Sequence, residues 1–318
     1  MVKNIFITAV GGDIACATLR CIKHGYKYNK IIGCDIHQYV QGRIYIDEFV
    51  LAPRFSDAQI YFEFIKSTCI NYGVTHFLPM TEDEILIADK NRIFFIENGI
   101  KLMINNSNII NIALSKYNTV NFLKYNGFMV PNTYLLDEYD GQESFPLIVK
   151  ADRGCGSKQV YIVNNNIELK EAIKIIDKPI IQKYVGNPDE EYTMGIFSDG
   201  NVTKSIVFKR KLGFGGMSIF VETVMDNQLS IMAERLAHDL ELTGAINVQM
   251  RKENEAYYIF EINARISSTV GFRYKLGFKD VIWWLNFLDN VKSDLHYEPN
   301  PGIIGIKTLD EMIFAIDK

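Results

Sequence analysis

Short apolar runs alternate with stretches of helical spacing over the first hundred residues, and that alternation leaves the chain few ways to fold. "KNIFITAV" has the length and composition of a buried strand, and Asp13 to His24 then sets Ile14, Ala17, Leu19 and Ile22 at helical spacing. "KIIGCD" reads as the next strand, Ile60 to Ile70 as the next helix, "THFLPM" as a third strand, Glu84 to Glu97 as a third helix and "IKLMIN" as a fourth strand. Strands joined by helices pair in parallel, with the helices covering both faces of the sheet. A doubly wound α/β domain over residues 1–114 is expected.

Lys116 to Tyr125 adds a helix that ends at Gly127, a residue suited to a left-handed C-cap. The pattern then changes. "VPNTYLL", "FPLIVK", "KQVYIV", "PIIQKYV", "EYTMGIF" and "NVTKSIVFKR" follow in close succession, with one helix near 167–177 among them. Runs of strands with few helices predict antiparallel sheets of α+β type. Leu229 to Leu240 is an amphipathic helix, "GAINVQM" and "AYYIFEIN" read as a hairpin, and the aromatic-rich "DVIWWLNFLDN" is helical, either core or interface. With 318 residues the chain exceeds one ordinary core, so a small subdomain over 115–188 and a larger one over 189–318 complete the expected organisation.

Charge and composition exclude some functions. The net charge is −4 and no Lys/Arg-rich tract is present, which argues against a nucleic-acid partner. No apolar run reaches membrane-spanning length, and "MVKNIFITAVGG" lacks the features of a signal peptide, so no membrane partner and a cytoplasmic location are expected. Five cysteines, odd in number and without zinc spacing, read as reduced thiols.

Four segments can carry chemistry. In "FPLIVKADRGCGSKQV" a strand ends at Lys150, and Gly154, Gly156 and Ser157 follow. Glycines let backbone N–H groups converge on a phosphate and the lysine adds a point charge; an ordinary hairpin turn is the alternative. In "PIIQKYVGNPDEEYTMGIF", Gln182, Lys183, Tyr184 and Val185 can present backbone groups to a base edge. Glu190 and Glu191 can accept from ribose hydroxyls or simply open a solvated strand. In "YYIFEINARISS" a period of two puts Glu261, Asn263 and Arg265 on one face, while Asn247 and Gln249 share a face of the preceding strand. Glu261 with Asn263 or Gln249 offers hard oxygen ligands to Mg²⁺, and Arg265 can neutralise a transferring phosphoryl group; a solvent-facing polar hairpin is the alternative. Finally, the Gly11-Gly12 turn before a helix, with Asp35 at the next strand end, suggests a dinucleotide or an anion site. The G-x-G-x-x-G spacing is missing.

In this order, these segments resemble the ATP-grasp superfamily, in particular its carbamoyl-phosphate-synthase-like and carboxylate–amine ligase branches. "NVQ" with "EINARISS" is similar to the metal-binding hairpin, "IVKADRGCGSKQV" to the lysine strand and lid loop, and "QKYVG" with "EEYTMGIFSDG" to the adenine hinge and ribose strand. "NAR" replaces the commoner Asn-Pro-Arg, and Gln182 stands where many relatives carry an acid. The resemblance implies a pre-ATP-grasp domain, a small lid and a larger antiparallel sheet. It also implies Lys116 and Lys150 on the nucleotide phosphates, Gln182 to Val185 as the hinge, and Glu191 with Glu190 at the ribose. Glu261 and Asn263, assisted by Gln249, would hold Mg²⁺ or Mn²⁺, and Arg265 would sit at the phosphoryl-transfer centre. Arg210 in "KRKLGFGGMS" would pair with the acceptor carboxylate, with Arg273 and Lys275 as second candidates. No catalytic Cys or His is implied, so Cys155 reads as a loop residue and His238 as structural or exposed. The implied reaction is ATP-dependent ligation of a small-molecule carboxylate to an amine or ammonia through an acyl phosphate, in an enzyme commonly dimeric. The alternatives are carboxylate phosphorylation with another acceptor, and a non-ligase nucleotide-binding or Rossmann-type NAD protein.

Overall fold

The computed structural model describes residues 2–154, 160–298 and 300–308. Five short strands, β1 (Asn4–Ile7), β2 (Lys30–Asp35), β3 (Glu48–Leu51), β4 (His76–Leu78) and β5 (Lys101–Leu102), form one sheet in the order β3-β2-β1-β4-β5. The four pairings are parallel. Helices α1 (Asp13–Gly25), α2 (Ala58–Asn71), α3 (Glu82–Lys90), α4 (Arg92–Glu97) and α5 (Ser107–Leu114) connect and cover it. This is the doubly wound architecture that the alternation predicts.

Two details differ from the expectation. The sheet gains β3, an edge strand whose four residues are half-buried or exposed and so carry no apolar run. The helix expected over Glu84 to Glu97 is two helices. Thr81 starts α3 early, its hydroxyl accepting from the Glu84 N–H while Glu84 accepts from the Thr81 N–H. Asn91 then ends α3 by donating from its amide to the Ile87 carbonyl at 2.8 Å.

Helix α6 (Lys116–Tyr125) leads into a four-stranded antiparallel sheet of β6 (Thr133–Leu135), β7 (Leu147–Ala151), β8 (Val160–Val163) and β9 (Pro179–Lys183), ordered β6-β9-β7-β8. Helix α7 (Asn166–Ile175) closes it over a separate small core of Leu147, Val149, Val163, Leu169, Ala172, Ile176 and Ile181. The larger antiparallel sheet has the order β14-β13-β10-β11-β12-β15. Its strands are β10 (Glu191–Asp199), β11 (Thr203–Leu212), β12 (Ser218–Val224), β13 (Thr243–Glu253), β14 (Ala256–Asn263) and β15 (Ile304–Ile306). Strands β12 and β15 were not expected from the sequence. Helices α8 (Asn227–Asp239), α9 (Val270–Lys275) and α10 (Asp280–Leu288) pack on or beside it.

The two larger sheets share a core. Val281, Trp283, Trp284 and Leu285 of α10 are at most 3% exposed and pack in one cluster with Ile5, Ile7 and Leu19. Of "VIWWLNFL", the residues Val281 to Leu285 are therefore core. At the end of α10, Asp289 accepts from His76 Nε2 at 2.9 Å and pairs with Lys101 at 2.5 Å, with Lys3, and with the Tyr26 hydroxyl. One carboxylate thus ties the third part of the chain to β4 and β5 of the parallel sheet and to Lys3 and Tyr26 beside it. A second buried tie follows β14. Arg273, 1% exposed, donates to Asp280, Ser267 and Thr269 and lies against Gly195, where a Cβ would stand 2.8 Å from its Cδ. Arg273 is thereby withdrawn from any substrate.

Candidate active site

One face of the large sheet carries polar side chains in register. Glu191 lies opposite Arg251, Thr193 opposite Gln249, and Gly195 opposite Asn247 between β10 and β13. Across the β13–β14 pair, Gln249 faces Glu261 and Asn247 faces Asn263. The register breaks between Gln249 and Met250, because Met250 pairs with Ile259 and leaves Phe260 as an extra residue on β14. Strict alternation would put Glu261 on the side of Tyr257 and Ile259, which are core residues. The bulge resets the phase, so that Ile262 returns to the core while Phe260 and Glu261 are half-buried on the polar side.

Glu261 Oε1 accepts from Gln249 Nε2 at 3.0 Å and from Asn263 Nδ2 at 2.8 Å. Asn247 Oδ1 accepts from Thr193 Oγ1 at 2.8 Å, and its buried Nδ2 has no partner among the described residues. One carboxylate between two carboxamides suits a hard dication. Turning the Asn263 amide over presents oxygen, whereas the Gln249 oxygen already accepts from Arg210 Nη2 at 2.6 Å; Mg²⁺ ordinarily takes only one or two carboxylates and completes its shell with phosphate oxygens and water. Among the described residues no cluster of three His, Cys, Asp or Glu competes for that role.

Lys150 on β7 reaches the same place from the small sheet. It is 6% exposed, donates to Gln182 Oε1 at 2.9 Å and lies 5.5 Å from the Phe260 ring centroid. Burial pushes its pKa down to about 8; the Glu261 charge pulls the other way, while Lys116 and Arg251 push it further down. Lys116 opens α6 and donates to the carbonyls of Gly154 at 2.9 Å and Asp152 at 3.3 Å. Gly154 has φ +114, a conformation that favours glycine. Gly156, Ser157 and Cys155 lie outside the described residues.

Several expected roles are corrected. Strand β14 ends at Asn263, so Arg265 follows the strand instead of sharing its face, and it approaches Glu82 at 3.8 Å. Arg210 is not open to a substrate carboxylate: it is 5% exposed, holds Glu191 through Nε and Nη2, and donates to Gln249 Oε1 at 2.6 Å. Glu191 is equally engaged, since its other oxygen accepts from Arg251 Nε and Nη2 at 3.2 and 3.0 Å. Both its oxygens thus accept from arginines. Glu190 points to the opposite side, to Lys209 and to the Tyr192 hydroxyl. At the hinge, β9 ends at Lys183, and the Gln182 side chain is fixed between Lys150 and Thr133 Oγ1. The N–H groups of Lys183 and Tyr184 bond to the carbonyls of Asn132 and Pro146. A base edge here would meet Val185 and the segment's carbonyls.

The Gly11-Gly12 turn is also filled from within. Asp35 accepts the Gly11 N–H at 2.8 Å, and a Cβ on Gly11 would stand 2.9 Å from both Asp35 Oδ2 and Val40. Asp13, at the start of α1, is paired with Lys307 at 2.6 Å. Asp35 is thus held to the turn, and the Asp13 side chain to Lys307.

Two site residues escaped sequence reasoning. Arg251 extends the alternation of Asn247 and Gln249 by one step and lies 5.1 Å from the Tyr184 ring centroid. Glu82, in the run "TEDE", comes from the parallel sheet's side of the cleft. Its neighbour Glu84 is consumed by Thr8, Tyr61 and Thr81, whereas Glu82 accepts no hydrogen bond from the described residues. Burial holds the Glu82 carboxyl above the usual carboxylate range, with Arg265 opposing that and Glu261 adding to it.

Residues 113–269 match the ATP-grasp domain family. Over 188 residues the chain is 26% identical to the carbamoyl phosphate synthase large chain of Sulfurisphaera tokodaii, covering 54% of this chain and 18% of that one. The chain spans less than half the length of the curated relatives it matches. Among solved structures, the biotin carboxylase domain of Hydrogenobacter thermophilus 2-oxoglutarate carboxylase, in complex with MgADP and bicarbonate, superposes with a TM-score of 0.73 at 15% identity, over 93% of this chain and 72% of that one. The L-amino acid ligase of Bacillus licheniformis superposes with a TM-score of 0.70 at 17% identity, over 90% of this chain and 74% of that one.

Proposed function

Because the chain carries an ATP-grasp domain over residues 113–269, we propose that it is an ATP-dependent carboxylate–amine ligase that works through an acyl phosphate. The observation that carries this reading is the position of Glu261, whose charge acts on Lys150 and which, with Arg265, acts on Glu82. Lys150, Glu261 and Arg265 come from the small sheet, the bulged strand β14 and the segment after it. Lys150 and Lys116 bind the nucleotide phosphates, and the segment around Val185 receives the adenine edge. Glu261, Asn263 and Gln249 would hold Mg²⁺, or Mn²⁺ on the same donors, which supplies charge neutralisation at the phosphate oxygens when bound.

Arg265 neutralises the phosphoryl group as it passes from ATP to the substrate carboxylate. The carboxylate oxygen attacks the γ-phosphorus and ADP leaves. The neutral amine then attacks the acyl carbon, the C–O bond to phosphate breaks, and the departing phosphate takes up the proton that the nitrogen loses. Such a barrier falls mainly through positioning and charge neutralisation, which need no nucleophilic side chain. Arg210 and Arg251 act on Glu191 and thereby keep Gln249 and the sheet face in place.

The test is calorimetric titration of ATP with and without Mg²⁺ on wild type and Glu261→Gln. We expect Mg²⁺-dependent binding in wild type, weakened about tenfold or more in the variant. Equal Mg²⁺ dependence in both proteins would overturn the metal assignment, and ADP release that no carboxylate stimulates would overturn the ligase reading.

A further inference from the structure

Arg265 stands on irregular backbone, residues 264–269, between the end of β14 and the start of α9. Within that stretch Ala264, Ile266, Ser267 and Thr269 are buried, and Arg265 and Ser268 are half-buried. Among the described residues, the Arg265 guanidinium approaches Glu82 at 3.8 Å and donates from Nη1 to the neighbouring Ile266 carbonyl at 3.2 Å. Neither contact fixes a side chain with so much rotamer freedom, so its position is set by the backbone that carries it.

Two buried side chains hold that backbone, one on each side of Arg265. Strand β14 pairs with β13 only as far as Asn263 opposite Asn247, so the Ala245 carbonyl lies beyond the end of its partner strand. Asn105, fully buried at the end of the parallel-sheet part, takes the place of the missing ladder donor. Its Nδ2 donates to the Ala245 carbonyl at 2.8 Å and to the Ala264 carbonyl at 3.0 Å. The residue that precedes Arg265 is thereby bolted to β13. On the other side, Arg273 Nη1 donates to Ser267 Oγ at 2.7 Å and to Thr269 Oγ1 at 2.6 Å. Arg273 is itself fixed, because Asp280 accepts from its Nε at 2.9 Å and from its Nη2 at 2.7 Å. Polar groups buried this deeply are costly to leave unpaired, so both brackets are stiff.

We propose that Asn105 and Arg273 are positioning residues for Arg265: they set the backbone on either side of it, so that its guanidinium meets the transferring phosphoryl group. The role rests on the reading of Arg265 given above, since both residues are buried and act through it. The phosphoryl-transfer arginine thus takes its place from two parts of the chain, the parallel-sheet part through Asn105 and α9 through Arg273.

Calorimetric titration of ATP and of ADP, each with Mg²⁺, on the full chain gives the ratio of the two affinities, which reads the contacts of the γ-phosphate. Arg265→Ala should lower that ratio about tenfold. Arg273→Ala would strand the buried Asp280, so the Arg273–Asp280 pair is left intact and its targets are removed instead. Ser267→Ala combined with Thr269→Val, and separately Asn105→Ala, should each lower the ratio about fivefold with ADP affinity unchanged. Thr269→Ser, which keeps the hydroxyl, should keep the wild-type ratio. In the Arg265→Ala background neither bracket variant should lower the ratio further. A wild-type ratio in either folded bracket variant, or a loss that adds to that of Arg265→Ala, would overturn this proposal alone. A wild-type ratio in Arg265→Ala would overturn the phosphoryl role of Arg265 and the positioning role with it.

Discussion

Lys150 is buried as a cation, and that has a measurable consequence for stability against pH. Its pKa is about 8 in the fold and 10.5 in the unfolded chain. Between those values the unfolded chain binds more protons, so stability rises with pH in that window. The contribution is complete above about pH 10.5 and is lost as pH falls through 8. At 1.36 kcal/mol per pH unit, the buried lysine costs the fold about 3 kcal/mol at pH 7, where it is charged, and about 2 at pH 9, where the fold has released a proton that the unfolded chain retains, so stability rises by roughly 1 kcal/mol between the two. Buried Cys16, Cys21, Cys34 and Cys69 act in the opposite direction, since burial raises their thiols. A variant is therefore needed to isolate the lysine. Urea unfolding of wild type and Lys150→Met at pH 7 and pH 9 should show wild type gaining about 1 kcal/mol relative to the variant as pH rises. The Gln182 oxygen left without its donor in the variant affects both pH values alike and drops out of the comparison. Parallel pH dependence in the two proteins would refute the argument, because it would mean that Lys150 pays no desolvation cost.

Asp280→Ala removes the carboxylate that pairs with buried Arg273 and should destabilise by about 3–5 kcal/mol, read by urea unfolding, because it strands an uncompensated guanidinium. Asp289 is held well below the usual carboxylate range by Lys101, Lys3, Tyr26 and His76, against the opposing effect of burial. Its stabilisation is therefore present above about pH 4 and lost progressively as pH falls further, so Asp289→Asn should show a flatter acid limb in thermal unfolding than wild type.

Most of the architecture was legible in periodicity. The parallel sheet announced itself because its strands are buried on both faces and read as apolar runs, while β3, β12 and β15 did not, being edge or near-edge elements with mixed burial. At the site, Glu261, Asn263, Gln249 and Lys150 were legible from alternation and resemblance. The bulge at Phe260 was not, since nothing in a period-two pattern marks a residue that has no partner. The pairing of Arg210 with Glu191 was hidden for a physical reason. A sequence shows that charges are adjacent on a sheet but not that two arginines have already closed on one carboxylate. Glu82 was hidden because its partner Arg265 is 183 positions away, on another sheet's side of the cleft.

Phe260 carries a last implication. Residues before it and after it keep their own faces: Tyr257 and Ile259 sit in the core, as does Ile262, with Asn263 beside Glu261. Excising this single residue would join Ile259 to Glu261 in uninterrupted alternation, leaving every core side chain and the carboxylate where they are. Only the aromatic ring, set between the cations of Lys150 at 5.5 Å and Arg251 at 5.9 Å, would disappear. The strand thus holds a removable partition: deleting Phe260 alone would take one wall from the cleft and leave the hydrophobic interior in register.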